Sequence, residues 1–177
     1  MTEHTPAPSI EGLSPGRYRL EPTQSQVRYS SKHMFGLGTV HAVFSIQEGE
    51  LRVGDPLTAS SVTVTVAAAS FTSNSAKRDK DVRSAGLLNV DTYPDITFAS
   101  HSLQPTSDGW LVHGAVTAHG QTVPVDVRID RLTHEPDGIR VHGQAQHLDR
   151  TTFGITGSRG MVGRYFDLDL DVLATAR

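Results

Sequence analysis

A chain of 177 residues with 16 basic and 19 acidic side chains carries a net charge of −3, which offers no attraction to a polyanion, so nucleic acid is not an expected partner. The absence of cysteine excludes disulfides, thiolate metal sites and cysteine nucleophiles. The length fits one domain with a sizeable core, and no stretch approaches the ~18 consecutive apolar residues that a membrane-spanning helix requires.

Residues 1–15 hold three prolines and no periodicity, and predict a flexible arm ahead of a domain over 16–177. They show neither a basic nor an apolar leader segment, so a cytoplasmic location is expected. Beyond them the dominant signal is period two, the mark of a strand with one buried and one wet face. Strands are predicted over 17–21 and 26–32, then over 39–47, where Val40, Ala42, Phe44 and Ile46 point inward before a Glu48-Gly49 turn. In 61–69, Val62, Val64 and Val66 form an inward row against Thr63 and Thr65.

The stretch from Asn74 to Phe98 breaks this pattern. Ser75 is placed to cap a short helix over 76–84, and Gly86 to end it with a positive φ. Four basic and two acidic residues make the outer face of that helix wet. Leu87 and Leu88 follow as an apolar pair, and Tyr93-Pro94 forces an extended entry into the next strand. This segment reads as a cap over the end of a sheet or barrel.

Further strands are predicted over 96–103, 110–118, 122–132, 138–148 and 164–174, parted by Ser107-Asp108-Gly109, His119-Gly120-Gln121 and Pro136-Asp137-Gly138 turns. Val123, Val125, Val127 and Ile129, then Ile139, Val141, Gly143 and Ala145, then Phe166, Leu168, Leu170 and Val172 make the inward rows. Eight or nine strands with one apolar face each, and almost no helix to cover them, call for a closed sheet or two sheets face to face. Small inward residues such as Ala42, Gly114, Val116 and Gly143 favour an antiparallel barrel with a lumen over a filled sandwich.

The order of segments GRYRLEPTQSQVRYSSKHM, GTVHAVFSIQEGEL, SSVTVTVAAASFTSNSAKRDKDVRSAGLLNVDTYPDITF, VHGAVTAHGQTVPVDVRI and LDRTTFGI resembles the YceI-like (polyisoprenoid-binding) family across 16–174. The resemblance implies an extended lipocalin-like barrel of about eight strands whose interior holds a long-chain lipid, an isoprenoid or related fatty chain, for carriage, storage or sequestration. It implies binding, not catalysis, and no cofactor beyond that lipid. The chain departs from the usual pattern at Leu87-Leu88-Asn89, at Ala42 and at Ala118-His119.

The candidate ligand contacts are the apolar Phe44, Val62, Val64, Val66, Leu87, Leu88, Phe98, Val116 and Phe153, which equally suit an ordinary core. Arg78 and Asp79 suit a polar head group or a solvated helix face. Tyr93 suits a head group or a turn anchor, and Arg150 a head group or a brace across the last strands.

Catalysis finds little support. The nine histidines show no His-x-His pair with a following carboxylate and no His-Glu-x-x-His, so no metal is expected, although His113 and His119 share a parity that His41 and His101 could join. No Gly-x-Ser-x-Gly occurs; Gly157-Ser158-Arg159-Gly160 reads as a loop, and Gly36-Leu37-Gly38 precedes no helix. Two alternatives to a lipid carrier stay open: an enzyme using Tyr93, Arg150 or a histidine on an apolar substrate in the same cavity, and a structural or partner-binding barrel. A barrel end opened by the arm is also compatible with a homodimer.

Overall fold

The computed structural model describes residues 13–33, 37–158 and 162–177. Its strands are β1 (Gly16–Leu20), β2 (Gln26–His33), β3 (Gly38–Phe44), β4 (Ile46–Val53), β5 (Ser61–Ala67), β6 (Asp95–Thr106), β7 (Gly109–Ala118), β8 (Gln121–Glu135), β9 (Gly138–Asp149) and β10 (Val162–Ala176). One helix, α1 (Ala76–Arg83), lies between β5 and β6.

All pairings are antiparallel, in the order β1-β4-β5-β6-β7-β8-β9-β10, and β10 returns to β1 to close an eight-membered ring. The remaining strands, β2 and β3, prolong two of its members. A turn at Pro22–Gln24 separates β1 from β2, and Ser45 separates β3 from β4, so each pair forms one bent stave. The long β10 spans the first of these bends. It pairs with β2 between Val162 and Asp171 and with β1 between Ala174 and Ala176.

Beyond Ser45 the β3 half leaves the wall. One edge of β3 pairs with β2; among the described residues the other makes a single bridge, with Val43 N–H and Thr72 N–H each donating to the other's carbonyl at 2.9 and 3.0 Å. The segment 68–75 and α1 fill the gap. Ser75 caps α1 by accepting from Arg78 N–H at 3.2 Å.

Three differences from the sequence reading have physical causes. The helix ends at Ser84, which is extended at φ −70 and ψ 167; Gly86 has no positive φ, and the left-handed residue is Asn89 at φ 50. Its outer face is not wholly wet either, since Asp79 is buried. Finally, Glu48-Gly49 is no turn but the middle of β4. A bulge between Ile46 and Glu48 shifts the parity, so Gly49 points inward with Leu51 and Val53. A Cβ on Gly49 would lie 2.6 Å from Leu20 Cδ1 and 3.0 Å from the Thr63 carbonyl oxygen. That glycine is a seat for the fully packed Leu20.

The His119-Gly120 turn between β7 and β8 has φ of 53 and 74 and joins Ala118 to Gln121, the two-residue geometry that suits a twisted hairpin. Most of the arm expected over 1–15 lies outside the described residues. Of the rest, Leu13 packs against the cluster of Tyr18, Leu20 and Val53, and Tyr18 Oη donates to the Ser14 carbonyl at 2.6 Å. The loop expected at Gly157-Ser158-Arg159-Gly160 lies partly outside the described residues as well.

On the outer wall, polar residues pair across strands. His142 sits between Asp130 and Asp169 at 2.6 and 3.0 Å, and the hydrogen bond to Asp130, above the opposing desolvation, raises its pKa.

The seat at Gly49 can be tested by chemical denaturation. Gly49→Ala is expected to cost about 1–3 kcal/mol through overpacking. In a Leu20→Ala background that cost should shrink; strictly additive effects would refute the contact.

Candidate functional site

The inward rows of the ring enclose a cavity of about 320 Å³ that runs the length of the barrel. Val62, Val64 and Val66 of β5, Phe98 of β6, Val116 of β7 and Phe44 of β3 all line it, as period two requires of residues sharing a strand face. Leu87 and Leu88 close one end, together with Val82 of α1 and Phe153. Leu87 and Phe153 are buried. The opposite end is lined by Leu13, Leu57, Trp110 and Leu132.

The large side chains cluster near the capped end. Tyr29 makes edge contacts with Phe44 and Phe71 at centroid distances of 6.4 and 5.5 Å and stacks on Phe166 at 5.4 Å. Its hydroxyl donates to Ser31 Oγ at 2.9 Å. Burial pushes the Tyr29 hydroxyl pKa up, against the opposing effects of Ser31 and the Arg150 charge. Farther along, glycines set the width. A Cβ on Gly114 would stand 2.5 Å from Phe98 Cζ, so the Phe98 ring lies over that position.

Arg150 lines the cavity at the capped end, yet its donors are committed to the backbone. Nε donates to the Gly163 carbonyl at 2.9 Å, Nη1 to Ile155 at 2.8 Å and Nη2 to Val162 at 3.2 Å. These bonds fasten the turn at Arg150–Phe153 to the start of β10. Asp149 caps the same turn, accepting from Thr151 N–H at 2.9 Å and Thr151 Oγ1 at 2.6 Å.

Three polar candidates stand off the cavity. Asp79 accepts from Ser73 N–H at 3.0 Å and Ser73 Oγ at 2.6 Å, and Arg78 Nη1 donates to Asn74 Oδ1 at 3.2 Å. Both hold the turn that leads into α1. Tyr93 packs on His119 at a centroid distance of 4.7 Å and covers Gly120, where a Cβ would meet its ring at 3.0 Å. It anchors the β7–β8 turn.

Of the histidines expected to share a face, His101 and His113 stack at a centroid distance of 6.3 Å, whereas His41 stands on β3 and His119 in the β7–β8 turn. His113 lies on the outer wall between Asp126 at 2.7 Å and Gln104 at 2.9 Å, whereas His119 Nδ1 lies 3.2 Å from the Phe153 carbonyl oxygen. Among the described residues no three histidine or acidic side chains are arranged as metal ligands. Tyr29, Phe71 and Trp110 are lining residues that sequence reasoning did not single out. Trp110 shares the parity of Gly114 and Val116, which was the available signal.

The Asp149 cap has a pH signature. Hydrogen bonds from Thr151 and then Arg164 hold its carboxyl down to about 2, below the ordinary carboxylate value, so it stabilises the fold above that ordinary value and loses the contribution as pH falls toward 2. Asp149→Asn should therefore melt below the wild type at pH 6, with the gap closing between pH ~4 and ~2. A gap that stays constant across this window would contradict the cap.

The model of the YceI-like domain matches residues 18–174. A UPF0312 protein of Pseudomonas putida is 38% identical over 119 residues, covering 64% of this chain and 62% of that protein, so less than two thirds of this relative's length is matched. The crystal structure of Burkholderia cenocepacia BcnA superposes with a TM-score of 0.76 at 21% identity, over 88% of this chain and 99% of that one. A structure from Saccharophagus degradans named as a polyisoprenoid binding domain superposes with a TM-score of 0.62 at 14% identity, over 93% of this chain and 100% of the other. With the family model covering nearly the whole barrel, the chain belongs to the YceI-like family.

Proposed function

We propose that this protein binds a long-chain apolar lipid inside the barrel, as a carrier or store and not as a catalyst. The observation that carries the reading is the 320 Å³ cavity, walled along its length by aliphatic and aromatic side chains from every stave. Its size falls within the range of small-molecule pockets. Each methylene that leaves water for such a wall contributes about 0.8 kcal/mol, so a chain of several isoprene units outweighs its ordering cost without any precise polar contact. The naming of the Saccharophagus degradans domain supports an isoprenoid over a plain fatty chain.

The enzyme alternative lacks a converging set of groups. Arg150 is bound to backbone carbonyls and Tyr93 covers a turn. Neither stands beside a nucleophile on the wall, and Arg150 is the only charged side chain that lines the cavity among the described residues.

The test compares two neighbours on β5. Val64 lines the cavity, while Thr65 points the other way. Protein made in cells should yield an apolar molecule on organic extraction and mass spectrometry. Thr65→Asp should retain it. Val64→Asp should keep the barrel's circular dichroism and lose the molecule, because a carboxylate on the wall costs several kcal/mol to desolvate beside the chain. Retention by both variants, or no extractable molecule from the wild type, would sink the reading.

A further inference from the structure

Where β3 leaves the ring, one side of its backbone is open. In an antiparallel ladder alternate residues turn both N–H and C=O to the same side. Val43 turns both to Thr72, so His41 and Thr39 face outward beside it, while Ala42 and Phe44 serve β2. Among the described residues no backbone group meets His41 or Thr39 on that side, and both residues are exposed. The bridge stops after one pair because the chain departs at Ser73, which Asp79 holds in the turn before α1.

An open edge is a template for another strand, and proteins that keep strangers off it use a lysine, a proline, a bulge or a covering segment. The stretch of β6 past Ala99, which has left β5, carries Pro105 and lies against the turn at Leu57–Ala59. β3 reads GTVHAVF and pairs with β2 in unbroken register, with no lysine, proline or bulge. Nothing in its sequence deters pairing.

The charges around this edge indicate what would pair. Residues 26–44 carry Arg28 and Lys32 and no acid, in a chain whose net charge is −3. Residues 72–84 carry Lys77, Arg78, Lys80 and Arg83 against Asp81 and the buried Asp79. Lys32 stands opposite Thr39 in the register. Lys32, Lys77 and Lys80 are exposed, and none has an ionic partner among the described residues. The outer-wall acids Asp167 and Asp169 are on β10, with β2 between them and β3. A second copy of the chain would bring like charges together here, whereas a row of carboxylates would offset them.

We propose that the Thr39–His41 edge of β3 docks an extended acidic segment of a partner protein, which joins the sheet antiparallel to β3 and takes up the ladder where Thr72 leaves it. Backbone bonds at Thr39 and His41 set the register, and the lysines select the charge. The docking is independent of what fills the lumen.

The probe is a fluorescein-labelled ten-residue peptide that alternates glutamate with valine, followed by anisotropy. Two controls accompany it: a lysine–valine peptide, and the glutamate peptide fully N-methylated, which keeps the charge and has no N–H to donate. Both controls should bind at least about tenfold more weakly, as the loss of one good hydrogen bond or of the charge match requires. His41→Pro removes one outward N–H and leaves the β2 ladder its bonds, so it should weaken the glutamate peptide about tenfold with the circular dichroism unchanged. In the unaltered protein, hydrogen exchange read by NMR should slow at the Thr39 and His41 amides on adding the glutamate peptide, and stay as it was along β8. No binding, equal binding of the N-methylated peptide, or unmoved exchange at those two amides would overturn the proposal. Self-association that slows the same amides without peptide would overturn it too, by making the occupant a second copy.

Discussion

A sheet with one apolar face and no helical layer to cover it must bury that face against itself, and everything else in this molecule follows from how it does so. β10 is the point of closure. Its 15 residues pair with β9 on one side and with two successive strands, β2 and β1, on the other. Because the β1–β2 stave beside it is bent, β10 keeps a ladder on both sides of the bend. Short side chains such as the valines of β5 and β8, Gly143 and Ala145 stand between the leucines and phenylalanines of the inner face, and a lumen remains along the barrel.

The wall was legible because its determinant is local. Alternation over five or more residues tells which face each side chain takes, and the inward rows of β5, β8, β9 and β10 lie where that alternation puts them. β4 escaped for an equally local reason. Its bulge after Ile46 breaks the alternation, and a glycine in an acidic setting looks like a turn unless the leucine that sits on it is known. That leucine is on β1, far away in the chain.

The polar candidates divide along the same line. Arg78 and Asp79 are occupied by residues within six positions of themselves, and Tyr93 by a turn two strands later. Nothing in the one-dimensional pattern distinguishes a charge that braces a loop from one that waits for a ligand. Arg150 shows the extreme, a cation on a lipid-like wall whose fork is spent on three carbonyls of the chain itself. Trp110 was different: its place on the wall followed from a parity shared with Gly114 and Val116.

The single bridge between Val43 and Thr72 makes the wall unequal in strength along its circumference. Elsewhere, parting two staves means breaking a ladder of several hydrogen bonds at once. Along β3 the same act breaks two backbone bonds among the described residues, each worth on the order of 1 kcal/mol net. The barrel is in this sense a tube with a slit that is basted and not sewn. Local opening of the wall therefore costs less along this seam than between two fully laddered staves.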